Sequence, residues 1–204
     1  GHRVTTSGPS GGAVPRKHVL FLWVFLVGLV LDQVTKFAVY LNLTPVTEPG
    51  ADRIVLIPGL LDVIHAQNPG AAFSFLAGFE YRYIVFLAFT VLAVLFVASQ
   101  QRALPDDDRW RSVALALIAS GAVGNGIDRL HKRTVTDFVR MYVDIEPVRS
   151  TLIDWFGTYE WPTYNVADVA LLAGIIVLVI LGDATEASAE QEAASPTASD
   201  GAGG

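Results

Sequence analysis

The chain has 204 residues, of which 52% are hydrophobic and only 17% charged, against roughly a quarter charged in an ordinary soluble domain. The formal net charge of −6 falls largely on two acidic stretches, residues 106–108 and the segment after Gly182, so the apolar part is nearly balanced and no basic patch suggests nucleic acid. There is no cysteine, which excludes disulfides, a thiol nucleophile and any thiolate metal site.

Residues 1–15 are rich in Gly, Ser, Thr and Pro, and residues 183–204 in Ala, Ser, Glu and Gly. Both read as disordered, because neither can bury enough apolar surface to offset its ordering entropy. Residues 16–182 between them are expected to form one membrane domain. Four hydrophobic segments lie there, at about 19–41, 83–99, 113–130 and 166–181. Each approaches the ~20 residues needed to cross a ~30 Å hydrocarbon core. The shorter second and fourth are acceptable if flanking residues snorkel. A cleaved secretory signal is a poor reading of the first segment. No small-x-small site follows it, and the apolar pattern resumes after Asp32.

The long connection from 42 to 80 contains two strand candidates, 54–57 and 61–64, separated by Pro58 and Gly59. They suggest a small sheet lying on the membrane. Ala116, Ser120 and Gly124, then Ala170 and Gly174, recur at i, i+4. Small residues at that spacing let helix backbones approach closely, so the third and fourth helices are expected to be neighbours. Four spans put both termini on one side. Arg3, Arg16 and Lys17 favour a cytoplasmic N-terminus, but Lys132, Arg133, Arg140 and Arg149 lie in the connection between spans three and four. The positive-inside count alone does not settle orientation.

Ionisable residues inside spans are costly and usually functional. The first span is uninterrupted from Val19 to Leu31, about 20 Å of helix. Asp32 then appears with Lys36 on the same face, and the spacing reads as a structural ion pair facing the bundle interior. Asn125, Asp128 and Arg129 share one face at the end of span three, and Asn165 and Asp168 share one at the start of span four. Antiparallel packing brings these polar ends to the same membrane face. Asp137 falls in the connecting loop among Val135, Phe138 and Val139, so it is expected near hydrophobic surface. Asp168 begins a helix, where the dipole favours its charged form. Two carboxylates in different environments can have split pKa values and act as base and acid toward water.

Other readings of these residues stay open at this point. Asp128 could pair with Arg129, and Asp168 alone could be a helix cap. A metal could sit among Asp128, His131, Asp137 and Asp168, although His18, His65 and His131 show no H-E-x-x-H spacing. Ser74 and Lys36 could form a dyad, although no G-x-S-x-G is present. A small transporter or a non-catalytic scaffold would also place acids within a bundle.

Five motifs in order resemble bacterial lipoprotein signal peptidase, the type II signal peptidase family. Asp32-Gln33-Val34-Thr35-Lys36 looks like its D-Q-x-[ST]-K, and Asn68-Pro69-Gly70-Ala71-Ala72-Phe73 like its N-x-G-A-A-F. Gly124-Asn125-Gly126-Ile127-Asp128-Arg129 looks like G-N-x-x-D-R. Val135-Thr136-Asp137-Phe138 looks like V-V-D-F, and Asn165-Val166-Ala167-Asp168 like N-x-A-D. The resemblance covers about 19–181 and neither tail.

It implies an all-α membrane protein of four transmembrane helices with a small extracytoplasmic β-sheet and an interfacial loop or helix. It implies an aspartic endopeptidase that removes the signal peptide from prolipoproteins, cutting before a diacylglyceryl-modified cysteine. Asp137 and Asp168 would be catalytic. Asn68, Gly70, Asn125, Asp128, Arg129 and Asn165 would position substrate and the pair, with Asp32 and Lys36 as structural support. No cofactor or metal is implied. The implied partners are the prolipoprotein and membrane lipid, and the chain is expected to act as a monomer. Its place would be the bacterial inner or plasma membrane, with cytoplasmic termini and the site at the outer face.

Two departures stand out. Thr136 replaces an apolar residue, a β-branched exchange that should be tolerated. The stretch between Asp137 and Asp168 is longer than typical for the family. The added segment around 144–161 carries Trp155, Tyr159 and Trp161, aromatics suited to a membrane interface. It is expected to form an interfacial loop or short helix over the site, with a role as a lid.

Overall fold

The computed structural model describes residues 16–70 and 79–194, with backbone alone beyond Gly182. The readings made on residues 1–15, on 71–74 and on the end of the tail lie outside the described residues. In chain order the elements are α1 (Arg16–Asn42), β1 (Ile54–Ile57), β2 (Leu61–Asn68), α2 (Arg82–Ala103), α3 (Arg109–Lys132), β3 (Val135–Met141), α4 (Val148–Phe156) and α5 (Val166–Ala194).

The burial pattern is inverted relative to a soluble protein. Leu22, Trp23, Val27 and Leu31 on α1 are exposed, as are Phe89, Leu92 and Leu95 on α2 and Leu172, Ile176 and Val179 on α5. Asp32, Lys36, Asn125, Asp128, Asp137 and Asn165 are buried. Apolar side chains outside and charged ones inside are what a lipid solvent selects, because unpaired polar groups cannot face hydrocarbon. Three helices, α1, α2 and α3, are long and apolar enough to cross a membrane. The apolar part of α5, Val166–Gly182, is shorter. The helix nevertheless continues to Ala194, past the boundary at 182 read from composition.

Helix α3 is the central one, in contact with α1, α2 and α5. Asp108 caps its start by accepting from Arg111 N at 3.2 Å, and Arg133, in the left-handed region at φ 62°, ends it. Its neighbours approach over small residues. A Cβ on Gly121 would lie 2.3 Å from Ala167 O, and one on Gly174 2.6 Å from Ala114 O. The expected α3–α5 contact is therefore present. Its small residues are only partly the expected ones, because Ser120 points at Gly28 of α1 instead. Gly121→Val should force the two backbones apart and lower the melting temperature of the detergent-solubilised protein by several degrees. An unchanged transition would contradict this packing.

The sheet has the order β1-β2-β3, all antiparallel. Strand β1 matches the sequence reading, and β2 runs further than expected, to Asn68. Strand β3 corrects that reading: Asp137 is on a strand, not in a loop. The run Val135-Thr136-Asp137-Phe138-Val139 is buried without alternation at its start, and its partner β2 is remote in sequence. Local pattern therefore did not reveal it. On the far side of β3, residues after α4 return to the sheet, with Trp161 N donating to Met141 O at 2.9 Å and Tyr164 N to Val139 O at 3.1 Å. Arg140 and Glu160 form an ion pair across the same seam. The segment around 144–161 does contain a short helix, α4, and Trp155, Phe156 and Trp161 on or beside it are largely exposed.

Candidate active site

The site is built where the ends of α1 and α3, the start of α5 and strands β2 and β3 meet. Asn165 is its hinge point. It precedes α5, and its Oδ1 accepts from Asp168 N at 3.0 Å. Asp168 Oδ2 accepts in return from Asn165 N at 3.1 Å. This reciprocal capping box fixes the Asp168 carboxylate at the helix N-terminus. The Asn165 side-chain amide then points the other way, donating to Asp137 Oδ1 at 2.7 Å. One residue thus holds both aspartates.

Asn125 completes the bridge. Its Nδ2 donates to Asp168 Oδ1 at 2.8 Å, while its Oδ1 accepts from Asn165 Nδ2 at 3.1 Å and from Lys36 Nζ at 2.9 Å. Asn68 approaches from β2, with Nδ2 donating to Asp137 Oδ2 at 2.8 Å. Its own Oδ1 accepts from Gly70 N at 2.8 Å, which sets the direction of the amide. Gly70 has φ 97°, and a Cβ there would lie 2.4 Å from the Phe86 ring, so both conformation and space require glycine.

The two carboxylates have different surroundings. Asp137 is 2% exposed, whereas Asp168 is half-buried. Burial pushes the Asp137 carboxyl up from 3.8 to about 6. The hydrogen bonds from Asn68 and Asn165 and the charge of Lys36 oppose that rise, and the charge of Asp168 adds to it. The guanidinium of Arg129 sits 4.6 Å over the Phe86 ring and donates to Asn125 O at 3.3 Å. The carboxylates of Asp168, Asp137 and Asp128 lie close enough to favour its charge.

Asp128 is turned away from the pair. Its Oδ2 accepts from Thr136 N at 2.9 Å, and its cationic partners are Lys36 at 3.5 Å and Lys132 at 3.7 Å. It fastens α3 to β3 one residue before Asp137. Asp32 and Lys36 lie 2.9 Å apart, and both are buried. Asp32 Oδ1 also accepts from Ala167 N at 2.9 Å. It therefore caps α5 from a neighbouring helix, satisfying a backbone donor that the first turn cannot.

The ten residues that the resemblance assigns to the site are accordingly joined in one cluster, Gly70 through Asn68 and Arg129 through Asn125, with Phe86 between those two. Phe86 itself was not foreseen; only its aromatic character within α2 could have hinted at a platform for Arg129. His131 is not drawn in, since its Nδ1 bonds Ile127 O at 2.9 Å. Among the described residues no three His, Asp or Glu side chains converge as a metal site, and Ser74 lies outside them.

Residues 24–182 match the family model for signal peptidase (SPase) II. The chain belongs to the signal peptidase II family. It is 39% identical over 161 residues to the lipoprotein signal peptidase of Geobacter metallireducens, covering 79% of this chain and 88% of the relative. It is 31% identical over 183 residues to that of Vibrio cholerae, covering 88% and 96%. A bacterial membrane enzyme solved by the in meso method at 1.9 Å superposes with TM-score 0.60 at 24% identity, over 79% of this chain and 90% of that one. That likeness shows a shared fold. Every motif of the signal peptidase II pattern quoted from the sequence falls within the matched residues.

Proposed function

We propose that this chain is an aspartic endopeptidase that removes the signal peptide from prolipoproteins, cutting before a diacylglyceryl-modified cysteine. Membership of the signal peptidase II family supports the substrate. The observation that carries the mechanism is Asn165, which holds Asp168 through its backbone and Asp137 through its side chain.

Asp168, half-buried, is the general base. It takes a proton from a water molecule, whose oxygen attacks the scissile carbonyl carbon. Asp137, pushed toward its protonated form by burial, is the general acid. It donates its proton to the amide nitrogen as the C–N bond breaks. Arg129 stabilises the negative charge that builds up between the two. No cofactor is needed for this water activation.

The substrate's lipid explains the architecture. A diacylglyceryl cysteine stays in the bilayer, so the carboxylates belong at the ends of spans, where water meets lipid. Helix α5 is then the fourth span. Its apolar part gives roughly 25 Å of helix, short but within reach of modest bilayer thinning. Both termini are cytoplasmic and the sheet lies at the outer face. Residues 16–182 are the working domain, and one chain suffices. Helix α4, with Trp155 on it and Trp161 beyond it both exposed, rests at the membrane interface beside the Met141 end of β3.

The direct test is a purified protein offered a diacylglyceryl-modified precursor peptide. Release of a signal peptide ending just before the modified cysteine supports the reading, and an intact precursor overturns it. The pH profile tests the assignment of the proton. Asp137 is protonated below about pH 6, so kcat/KM should fall as pH rises through and above that value, in the manner of a pair that titrates as a unit. Asn68→Ala removes a hydrogen bond that favours the charged carboxylate, so it should move that midpoint upward. A profile flat from pH 5 to about 8 would contradict Asp137 as the acid.

A further inference from the structure

The β2–β3 ladder is interrupted beside the active site. Val63 pairs with Val139 and Ala66 with Asp137, with a register shift between them. The pairing is offset by one residue there and resumes over Ala66–Asp137, Gln67–Thr136 and Asn68–Val135, so the register on the active-site side is set beyond the shift. The register matters, because Asn68 must face Asp137 to donate to it. A slip of one residue would turn that amide to the other face of the sheet.

Side chains span the interruption. Gln67 is the register partner of Thr136, and its Nε2 lies 2.7 Å from His65 Nε2 and 3.5 Å from Thr136 Oγ1. Gln67 Oε1 accepts from Thr134 Oγ1 at 2.6 Å. Thr136 is wholly buried, and its Oγ1 also accepts from Lys132 Nζ at 3.1 Å. His65, buried at 2% exposure, donates from Nδ1 to Leu43 O at 2.9 Å. With Nδ1 a donor, Nε2 is free to accept from the Gln67 amide. The end of α1, the end of α3 and both strands are thus tied together at one glutamine, directly before Asn68.

We propose that Gln67, with Thr136 and His65 as its partners, is a positioning residue for the catalytic pair, holding the β2–β3 register so that Asn68 meets Asp137. This rests on the peptidase reading above for its consequence in turnover, but not for its geometry. The side chain of Gln67 is bonded to His65, Thr136 and Thr134 and not to either aspartate. It acts through Asn68 on one strand and Thr136 on the other. A buried polar network of this kind specifies one arrangement only when each member is satisfied.

The test is Gln67→Leu, with Thr136→Val as a second variant that keeps the β-branched shape and loses only the hydroxyl. For each, kcat, KM, the pH midpoint and the carboxyl titration of Asp137 by carbon-13 NMR are measured in the full chain. The expected result for Gln67→Leu is a fall in kcat of about tenfold to a hundredfold with KM changed less than about threefold. The Asp137 titration should move to higher pH, because the Asn68 hydrogen bond that opposes protonation is loosened. Thr136→Val should show the same signature more weakly, and Thr136→Ser, which restores the oxygen, should recover most of it. A folded Gln67→Leu or Thr136→Val protein with unchanged kcat and unchanged Asp137 titration overturns the proposal. If the wild-type chain cleaves no lipidated precursor, the peptidase reading fails. The carboxyl titration then still decides the positioning role, a shift supporting it and no shift overturning it.

Discussion

Replacing Asp137 by Asn should lower the rate of precursor cleavage by at least about a thousandfold, and Asp168→Asn should do the same. In the proposed mechanism each change removes a proton-transfer group, and it leaves the side-chain volume in place. The fold should tolerate both. Asp137 accepts from Asn68 and from Asn165, so an amide there satisfies one donor and opposes the other, at a cost of about 1–3 kcal/mol. Asp168 accepts from Asn125 and from Asn165 N. An Asn at that position keeps one of those bonds and can still be held by the Asn165 cap. Large loss of turnover with little loss of helical structure is therefore the expected pattern. Combining the two changes should add little to either alone, since the pair acts as one unit. Measured rates for the two single variants and the double variant, with circular dichroism on each, check this.

Lys36→Met should instead act on stability, lowering it by about 3–5 kcal/mol. The ammonium lies 2.9 Å from Asp32, 3.5 Å from Asp128 and 2.9 Å from Asn125 Oδ1. Removing it leaves two buried carboxylates without that shared cation, and among the described residues only Asp128 keeps a second one, Lys132. The loss also travels. Asp32 caps α5 at Ala167 N, and Asn125 holds Asp168. Turnover should fall along with stability, unlike the pattern for the aspartate variants. Adding Asp32→Asn to Lys36→Met should recover part of the stability by deleting one of the stranded charges. A melting curve for each variant in the same detergent tests this, and a Lys36→Met protein as stable as wild type would contradict it.

The sequence made the site legible because its chemistry is dense and out of place. Asp32 and Lys36 inside an apolar run, and Asn165 with Asp168 at a helix start, are visible from spacing and hydropathy alone. The shared end of the third and fourth hydrophobic segments, α3 and α5, is visible in the same way, since both polar groups sit at connected ends. What was hidden depends on contacts remote in sequence. Strand β3 pairs with β2, whose residues lie far upstream, and a short buried run beside a helix end looks like a loop. The cap that Asp32 places on α5 joins α1 to the last helix, and no local pattern announces it. The same holds for Phe86 beneath Arg129. The small-residue stripe picks out the right helices but partly the wrong residues: i, i+4 spacing identifies a face without fixing which neighbour it meets, and α3 has neighbours on several sides. Thr136 looked like a tolerated exchange in the motif. In the fold it carries a backbone bond to Asp128 and a hydroxyl among Lys132 and Gln67, so its neighbours give it a role that its identity alone did not.

The proposed reaction assigns cleavage of the lipidated precursor to Asp137 and Asp168 together. The mass spectrum of products formed by wild-type, Asp137→Asn and Asp168→Asn proteins, each shown to be folded and each assayed with and without a chelator, tests it most directly. The wild type should yield a signal peptide ending just before the modified cysteine, with chelator or without, and both variants should leave the precursor intact. Cleavage by either folded variant at a rate near that of the wild type would contradict it.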